Sequence, residues 1–391
     1  MRLALFIDGA FRSDVTGRVN SGSELFGFMR FACAVGAHFD RFVLLARRTD
    51  SVEEASEPLP AGLHLVPLPD YGSLRDLARL LVAIPRTIAS MWQALEAIDI
   101  VWVTGVHPLG LLLTLIARLR RRRVVVLIRQ DSRRYFRARL PSRAWVLALP
   151  ALDALDWLFR ALGSRTRTTV VGGSLARRYG APRANVLEMR VNLLERSQLA
   201  PGPSPADWDE RVALLAVGRL APEKNPLLLV DALARLERDT PGRYSLICVG
   251  EGPLETAVGR HADALGIASS IEIRGFVPFG AELMELYRHA NAFVHVALTE
   301  GVPGVLYEAM GAGLPIVATD VGGVRAALRD GEAGLLVPAG DAAALAAAVR
   351  RLDEDAGLRR RLESTGLAIA AMSTIESESR RVADFIAADS L

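Results

Sequence analysis

Short apolar runs alternate with longer stretches of helical period along nearly the whole chain. In the first half the runs fall at 3–7, 41–46, 63–68, 99–103, 123–128, 168–171 and 185–189. Helix-period stretches fill most of the gaps, among them 23–35, 73–97 and 108–119. A break follows at 199–210, "LAPGPSPADWDE", which has no period and is rich in proline and acid, so it reads as a linker. The alternation then restarts. Strands are expected at 212–217, 244–249, 270–274, 292–296, 315–319 and 334–338, with helices at 225–238, 253–265, 280–289, 303–312 and 341–352. Apolar runs alternating with helices predict parallel sheets covered on both faces. The expected architecture is α/β: two doubly wound domains, 1–198 and 211–370, facing a central cleft across the 199–210 linker. The last stretch, 371–391, is helical with no strand after it and is expected to pack back on the first domain.

Composition sharpens this picture. Of 47 basic residues, 46 are arginine, and the single lysine is Lys224. The net charge of +3 hides an asymmetry: residues 1–195 hold 28 Arg against 17 acids, and the remainder 19 basic residues against 27 acids. The densest cluster, 118–143, has 11 arginines and one acid, Asp131. Such a field attracts anions, whether lipid headgroups or phosphorylated substrates; with few aromatics interleaved, nucleic acid is disfavoured. Two cysteines in apolar segments, Cys33 and Cys248, indicate core thiols in a reducing compartment. The opening "MRLALFIDGAFR" is too short an apolar run for a signal peptide, and no segment is apolar enough to span a membrane. The stretch "AWVLALPALDALDWLF" reads as an amphipathic helix, buried or lying on a membrane surface.

The chemistry concentrates after strands of the second domain. "GRLAPEKNP" places Gly218, Arg219 and Lys224 after one strand, with Asn225 expected to cap the next helix. Open α/β sheets bind ligands at strand carboxyl ends, and two cations across such a turn suit a diphosphate. "VGEGP" supplies Gly250, where bare backbone can approach a ligand. "RGFVP" supplies Gly275, Phe276 and Val277 beside a flat base. In "LTEGVPGVLYEAMGAGLPIVATDVGGV", Glu300 follows a strand, and Gly301, Val302, Pro303, Gly304, Val305 and Leu306 form a bare loop and helix start suited to phosphate. Glu308 lies one to two turns into that helix, placed to accept two vicinal hydroxyls.

These motifs, in this order, resemble the donor half of retaining nucleotide-sugar glycosyltransferases of the GT-B fold (family 4, glycosyl transferases group 1). The resemblance is close over about 212–351 and loose before it; the Glu300–Glu308 spacing is its most specific part. It implies two Rossmann-like domains and sugar transfer from a nucleoside-diphosphate sugar to an acceptor hydroxyl. Arg219 and Lys224 would hold the diphosphate, Glu300 would lie beside the sugar, Glu308 would bind ribose, and Gly275–Val277 would line the base. It implies no metal and no cofactor beyond the substrate, and the sequence shows no His/Cys/Asp cluster at ligand spacing: His261, His289 and His295 are scattered.

The first domain departs from the family pattern. Where such enzymes often carry a histidine after the strand matching 124–128, this chain reads Arg129, Gln130, Asp131. Arg129 and Asp131 are candidates on the acceptor side, and His107 after the preceding strand is another. The usual glycine pair after the first strand is missing; Gly17 and Gly22 stand nearby instead. The reading is a metal-independent, hexosyltransferase-type enzyme of cell-surface glycan or glycolipid assembly. It would be cytoplasmic and peripheral on the inner face of the membrane through the 118–143 cluster, with a glycan, lipid-linked or small-molecule acceptor. The alternatives are a nucleotide-sugar binding protein without transfer activity and a sugar-nucleotide epimerase on the same fold.

Overall fold

The computed structural model describes residues 1–13, 19–21, 23–48, 57–59, 63–70, 77–129, 149–204 and 207–388. The chain divides into two compact units, Met1–Val191 with Glu376–Leu391, and Asn192–Ile375.

The strands of the first unit are β1 (Arg2–Ser13), β2 (Val19–Ser21), β3 (Arg41–Arg48), β4 (Glu57–Pro58), β5 (His64–Leu68), β6 (Ile100–Thr104), β7 (Arg123–Ile128), β8 (Arg167–Val171) and β9 (Val186–Met189). Its helices are α1 (Ser23–Gly36), α2 (Leu77–Ala94), α3 (Pro108–Leu119), α4 (Leu149–Gly163) and α5 (Gly173–Arg178). Seven strands pair in parallel in the order β5-β3-β1-β6-β7-β8-β9. The chain therefore winds outward from β1 to β5 and then from β6 to β9, with the reversal between β1 and β6. Leu3 to Ile7 and Ile100 to Val103 are buried, as expected for strands covered on both faces.

Gly9, which follows the first apolar run, is part of the strand. β1 continues through Gly9 to Ser13, with a register shift against β3 between Phe6 and Ala10, and its end pairs antiparallel with β2. Gln130, Asp131, Gly17 and Gly22, singled out above, lie outside the described residues, as do five of the eleven arginines of the 118–143 cluster.

The second unit carries β10 (Val212–Val217), β11 (Tyr244–Val249), β12 (Ile271–Ile273), β13 (Ala292–His295), β14 (Ile316–Thr319) and β15 (Leu335–Val337). Its helices are α6 (Leu227–Asp239), α7 (Glu255–Ala264), α8 (Ala281–His289), α9 (Gly304–Gly311), α10 (Val324–Ala327), α11 (Ala342–Glu354) and α12 (Ala356–Met372). All six strands are parallel, in the order β12-β11-β10-β13-β14-β15. The two-residue period of β10 feeds two cores. Val212, Leu214 and Ala216 join Leu233 and Val258 on one face, and Leu215 joins Met284, Leu306 and Ile369 on the other. The winding reverses between β10 and β13, and open α/β sheets bind ligands at such a reversal, outside the strands' carboxyl ends.

The segment read above as a linker lies within this unit. The Ala200 and Ser204 amides donate to the carbonyls of Gly311 and Gly313 at 2.7 and 3.1 Å, and Trp208 is buried. Proline and acid broke the period without breaking the packing. The final helix, α13 (Ile375–Ala387), counts from Glu376 with the first unit. Arg123 donates to the carbonyls of Ile386 and Ala387 at 3.1 and 3.0 Å, and Arg381 to that of Glu188 at 2.7 Å.

Candidate functional site

The second unit's site grows from two loops at the reversal point. β10 ends at Gly218, and a single helical turn, Pro222–Lys224, follows. Asn225 does not cap α6 with its side chain. It takes a left-handed conformation (φ 52°), which asparagine tolerates, and turns the chain into Pro226 and α6. The Leu298 amide donates to the Glu223 carbonyl at 2.9 Å, which ties this turn to the loop after β13.

That tie brings together side chains far apart in sequence. The Lys224 ammonium pairs with Glu300 Oε2. His295, the last residue of β13, lies beneath them with Nε2 3.4 Å from the same oxygen. Lys224 and Glu300 keep 25% and 15% of their side-chain surface exposed against 5% for His295, so the pair faces outward and the imidazole supports it from the core side. Burial alone would raise the Glu300 carboxyl. His295 and Lys224 outweigh that and hold it at about 2, so Glu300 is ionised at any working pH.

The Glu300 loop is held by the glycine pair of "DVGG". A Cβ on Gly322 would stand 1.8 Å from the Glu300 carbonyl oxygen, and one on Gly323 would stand 2.1 Å from that of Gly301. The Gly323 amide donates to the Gly301 carbonyl at 2.8 Å. Only glycine allows two backbones this close, and Gly322 also has φ 55°.

Pro303 stands just outside α9, as its N-cap in extended conformation, rather than at its first helical position; α9 begins at Gly304. Glu308, one turn in, is buried at 9% exposure and accepts a hydrogen bond from the Tyr287 hydroxyl at 2.8 Å. Burial pushes its carboxyl up to about 7, with the Tyr287 hydrogen bond partly offsetting the effect.

Other expected residues fall differently. Arg219 is 66% exposed and pairs with Glu223 at 2.6 Å, one helical turn away in sequence, rather than joining Lys224 and Glu300. Gly250 serves a close approach, but to protein. Its Cβ would meet the Gly218 carbonyl oxygen at 2.1 Å, and one on Gly252 would meet that of Leu220 at 2.4 Å. The motif's glycines pack loop on loop. Gly275 (φ 69°) accepts the Gly250 amide at 2.7 Å, Phe276 is exposed and Val277 buried.

The first unit gathers its own polar cluster at the β1/β6 reversal. His107 Nε2 lies 3.0 Å from Asp8 Oδ2, and the Arg47 guanidinium bridges Asp8 and Asp70 at 3.1 Å each. His107 Nδ1 accepts the Leu109 amide at 3.3 Å, capping α3. Arg129 lies with its guanidinium 4.1 Å over the Phe28 ring. Among the described residues no three His, Cys, Asp or Glu side chains group as metal ligands, and no helix is long and apolar enough to cross a membrane.

Three residues escaped the sequence reading: His295, Tyr287 and Asp8. His295 had a usable signal, since it ends a strand five residues before Glu300. Tyr287 and Asp8 reach their partners only through tertiary packing.

The residue pattern around this site is decided by a family match. Residues 205–367 fit the model of glycosyl transferases group 1. This segment belongs to that family. A D-inositol 3-phosphate glycosyltransferase of Geodermatophilus obscurus is 37% identical over 149 residues, a span of 36% of this chain and 33% of that protein. The chain thus spans about a third of that relative's length. Among solved structures, WaaG, a glycosyltransferase involved in lipopolysaccharide biosynthesis, matches with TM-score 0.67 at 16% identity over 99% of this chain and 100% of its own. Anabaena Alr3699/HepE, in complex with UDP and glucose, matches with TM-score 0.66 at 17% identity over the whole of both chains. The group 1 segment and its companion unit together have the GT-B fold.

Proposed function

We propose that the chain is a retaining, metal-independent glycosyltransferase. It moves a hexose-type sugar from a nucleoside-diphosphate sugar, held by the second unit, to an acceptor hydroxyl at the first. The observation that carries this reading is the Lys224–Glu300–His295 cluster at the β10/β13 reversal, with the buried Glu308 on the helix that follows. Lys224 has three N–H donors. It can keep Glu300 and still meet a diphosphate, where it neutralises the charge that develops as the glycosidic bond breaks. Glu300, always ionised, accepts from sugar hydroxyls, and His295 keeps its carboxylate aimed. Glu308 takes the ribose hydroxyls. The exposed Arg219 swings from Glu223 to the diphosphate, a small cost because a solvated pair of this kind contributes little.

Gly218, Gly275, Phe276 and Val277 line the nucleoside, with Gly250 packing the loops behind them, and Gly301 to Leu306 meet sugar and phosphate through backbone. On the acceptor side, both ring nitrogens of His107 are engaged, by Asp8 and by the Leu109 amide, so it serves as a positioning group, with Arg129 and Asp131 as further acceptor-side groups. The basic first unit favours an anionic acceptor. Relatives named for D-inositol 3-phosphate make a phosphorylated polyol one candidate, and a lipid-linked glycan of cell-surface assembly is the other. The location we propose is the cytoplasm, peripheral at an anionic membrane.

The test is turnover of UDP-, GDP- and ADP-sugars, followed by release of the nucleoside diphosphate. Transfer or slow hydrolysis of one donor, lost in Glu300→Gln, supports the reading. Binding of a donor with neither activity would support a binding protein instead, and conversion of the donor to an epimer without acceptor would support an epimerase.

A further inference from the structure

The first unit's helices carry an apolar outer face that its own fold does not cover. α2 and α3 share one core, through Ala83 and Met91 on one and Leu113 and Ile116 on the other. Leu111 of α3 shares the next core with Leu155 and Phe159 of α4. The three helices therefore lie side by side on one face of the sheet. Their outer sides expose Ile88 and Trp92 on α2, Leu115 and Leu119 on α3, and Trp157 and Leu158 on α4. Exposures run from 36% at Ile88 to 76% at Leu119, and these six make up most of the large apolar side chains exposed among the described residues. Singly exposed leucines need no explanation, but two tryptophans and four aliphatics on three adjacent helices do.

Arginine lies at one end of this face. Arg118, Arg121 and Arg122 leave the end of α3, and the Arg120 guanidinium stacks 4.6 Å over the Trp92 ring. Two of the nearby acids are already engaged, Glu96 with Arg120 at 3.5 Å and Asp156 with Arg178 at 2.7 Å. An apolar patch with tryptophan and arginine at its margin matches the interface of an anionic bilayer, where tryptophan sits at headgroup depth, aliphatics reach the acyl boundary and guanidinium meets phosphate.

We infer that the outer face of α2, α3 and α4 docks the protein on an anionic phospholipid membrane. This deepens the peripheral-membrane part of the function proposed above. It moves the contact from the arginine run alone to a three-helix face in which Trp92, Leu119 and Trp157 insert.

The test uses the full chain with sedimenting vesicles of equal phosphatidylglycerol and phosphatidylcholine, and with phosphatidylcholine alone. The expected result is binding to the anionic vesicles, a blue shift of tryptophan emission, and quenching by brominated acyl chains. The triple variant Trp92→Ser, Leu119→Ser, Trp157→Ser should bind at least tenfold more weakly. Arg118→Gln with Arg121→Gln should lose a comparable factor, roughly fivefold for each arginine. All substituted positions are exposed, and circular dichroism with nucleoside-diphosphate affinity checks that the variants fold. Three results overturn the inference: no preference for anionic vesicles, equal binding by the triple variant, or a lipid-free dimer that the triple variant dissolves, which would assign the face to a second copy. The assay needs no donor or acceptor, so its failure leaves the transfer reading standing, and a failed transfer assay leaves the docking result standing.

Discussion

Glu308→Gln should make the second unit more stable and the protein less active. The wild-type carboxyl is buried, and its value rises from 4.5 to about 7. A carboxyl that holds its proton more tightly when folded contributes stability that is complete below about 4.5 and is lost as pH rises through 7. At about 1.4 kcal/mol for each tenfold change in proton affinity, the loss above neutrality is about 3 kcal/mol. Glutamine keeps the shape and can accept from the Tyr287 hydroxyl, but it buries an amide nitrogen in place of one oxygen, which costs about 1 kcal/mol. The expected net gain at pH 8 is about 2 kcal/mol, or roughly 4–8 °C in melting temperature for a unit of this size. At pH 5 the wild-type carboxyl is protonated and the advantage vanishes. Melting both proteins by calorimetry from pH 5 to pH 8 reads this directly. A difference that does not change with pH, or a variant less stable at pH 8, would refute the buried-carboxyl argument. Nucleoside-diphosphate affinity in the same variant should fall roughly tenfold or more, since hydrogen bonds to a charged group are the stronger kind. The site would then hold a stabilising change in reserve because function needs the acid.

Other residues yield equally direct expectations. Gly322→Ala forces a Cβ against the Glu300 carbonyl at a backbone angle alanine disfavours, so turnover should drop by about 100-fold as the loop shifts; unchanged kinetics would mean the loop position does not matter. His295→Ala should lower kcat about tenfold while leaving nucleoside-diphosphate affinity within about twofold, because the imidazole supports Glu300 rather than the nucleotide. His295→Gln, which keeps a donor, should recover most of that loss; equal damage from both would reduce His295 to a packing residue. Because His295 and Lys224 hold Glu300 near 2, activity should show no acid limb from Glu300 above pH 4, and an acid limb near pH 5 that shifts upward in His295→Ala would contradict this.

The sheets were legible in the sequence because fully buried parallel strands are short apolar runs, and each run marked above became a strand of one of the two sheets. The hairpin partners β2 and β4 were not, since three- and two-residue strands carry no period. Helix α12 went unmarked because its buried residues mix Gly366 and Glu363 with leucine, which blurs the apolar stripe. At the site, the residue types were readable but not their pairings. Lys224 meets Glu300 across 76 positions only because β10 and β13 are neighbours in the sheet. Gly250 looked like a ligand contact, yet its bare backbone fits the Gly218 carbonyl. A glycine's spacing tells that something comes close and not what. His295 looked scattered until the strand order put it under Glu300.

In the proposed reaction Lys224 clamps the diphosphate of a sugar donor. Calorimetric titration of the full chain with UDP, GDP and ADP, repeated with Lys224→Ala, tests it most directly. One nucleoside diphosphate should bind, and the variant should bind it at least tenfold more weakly. Equal affinity in the variant would contradict the clamp.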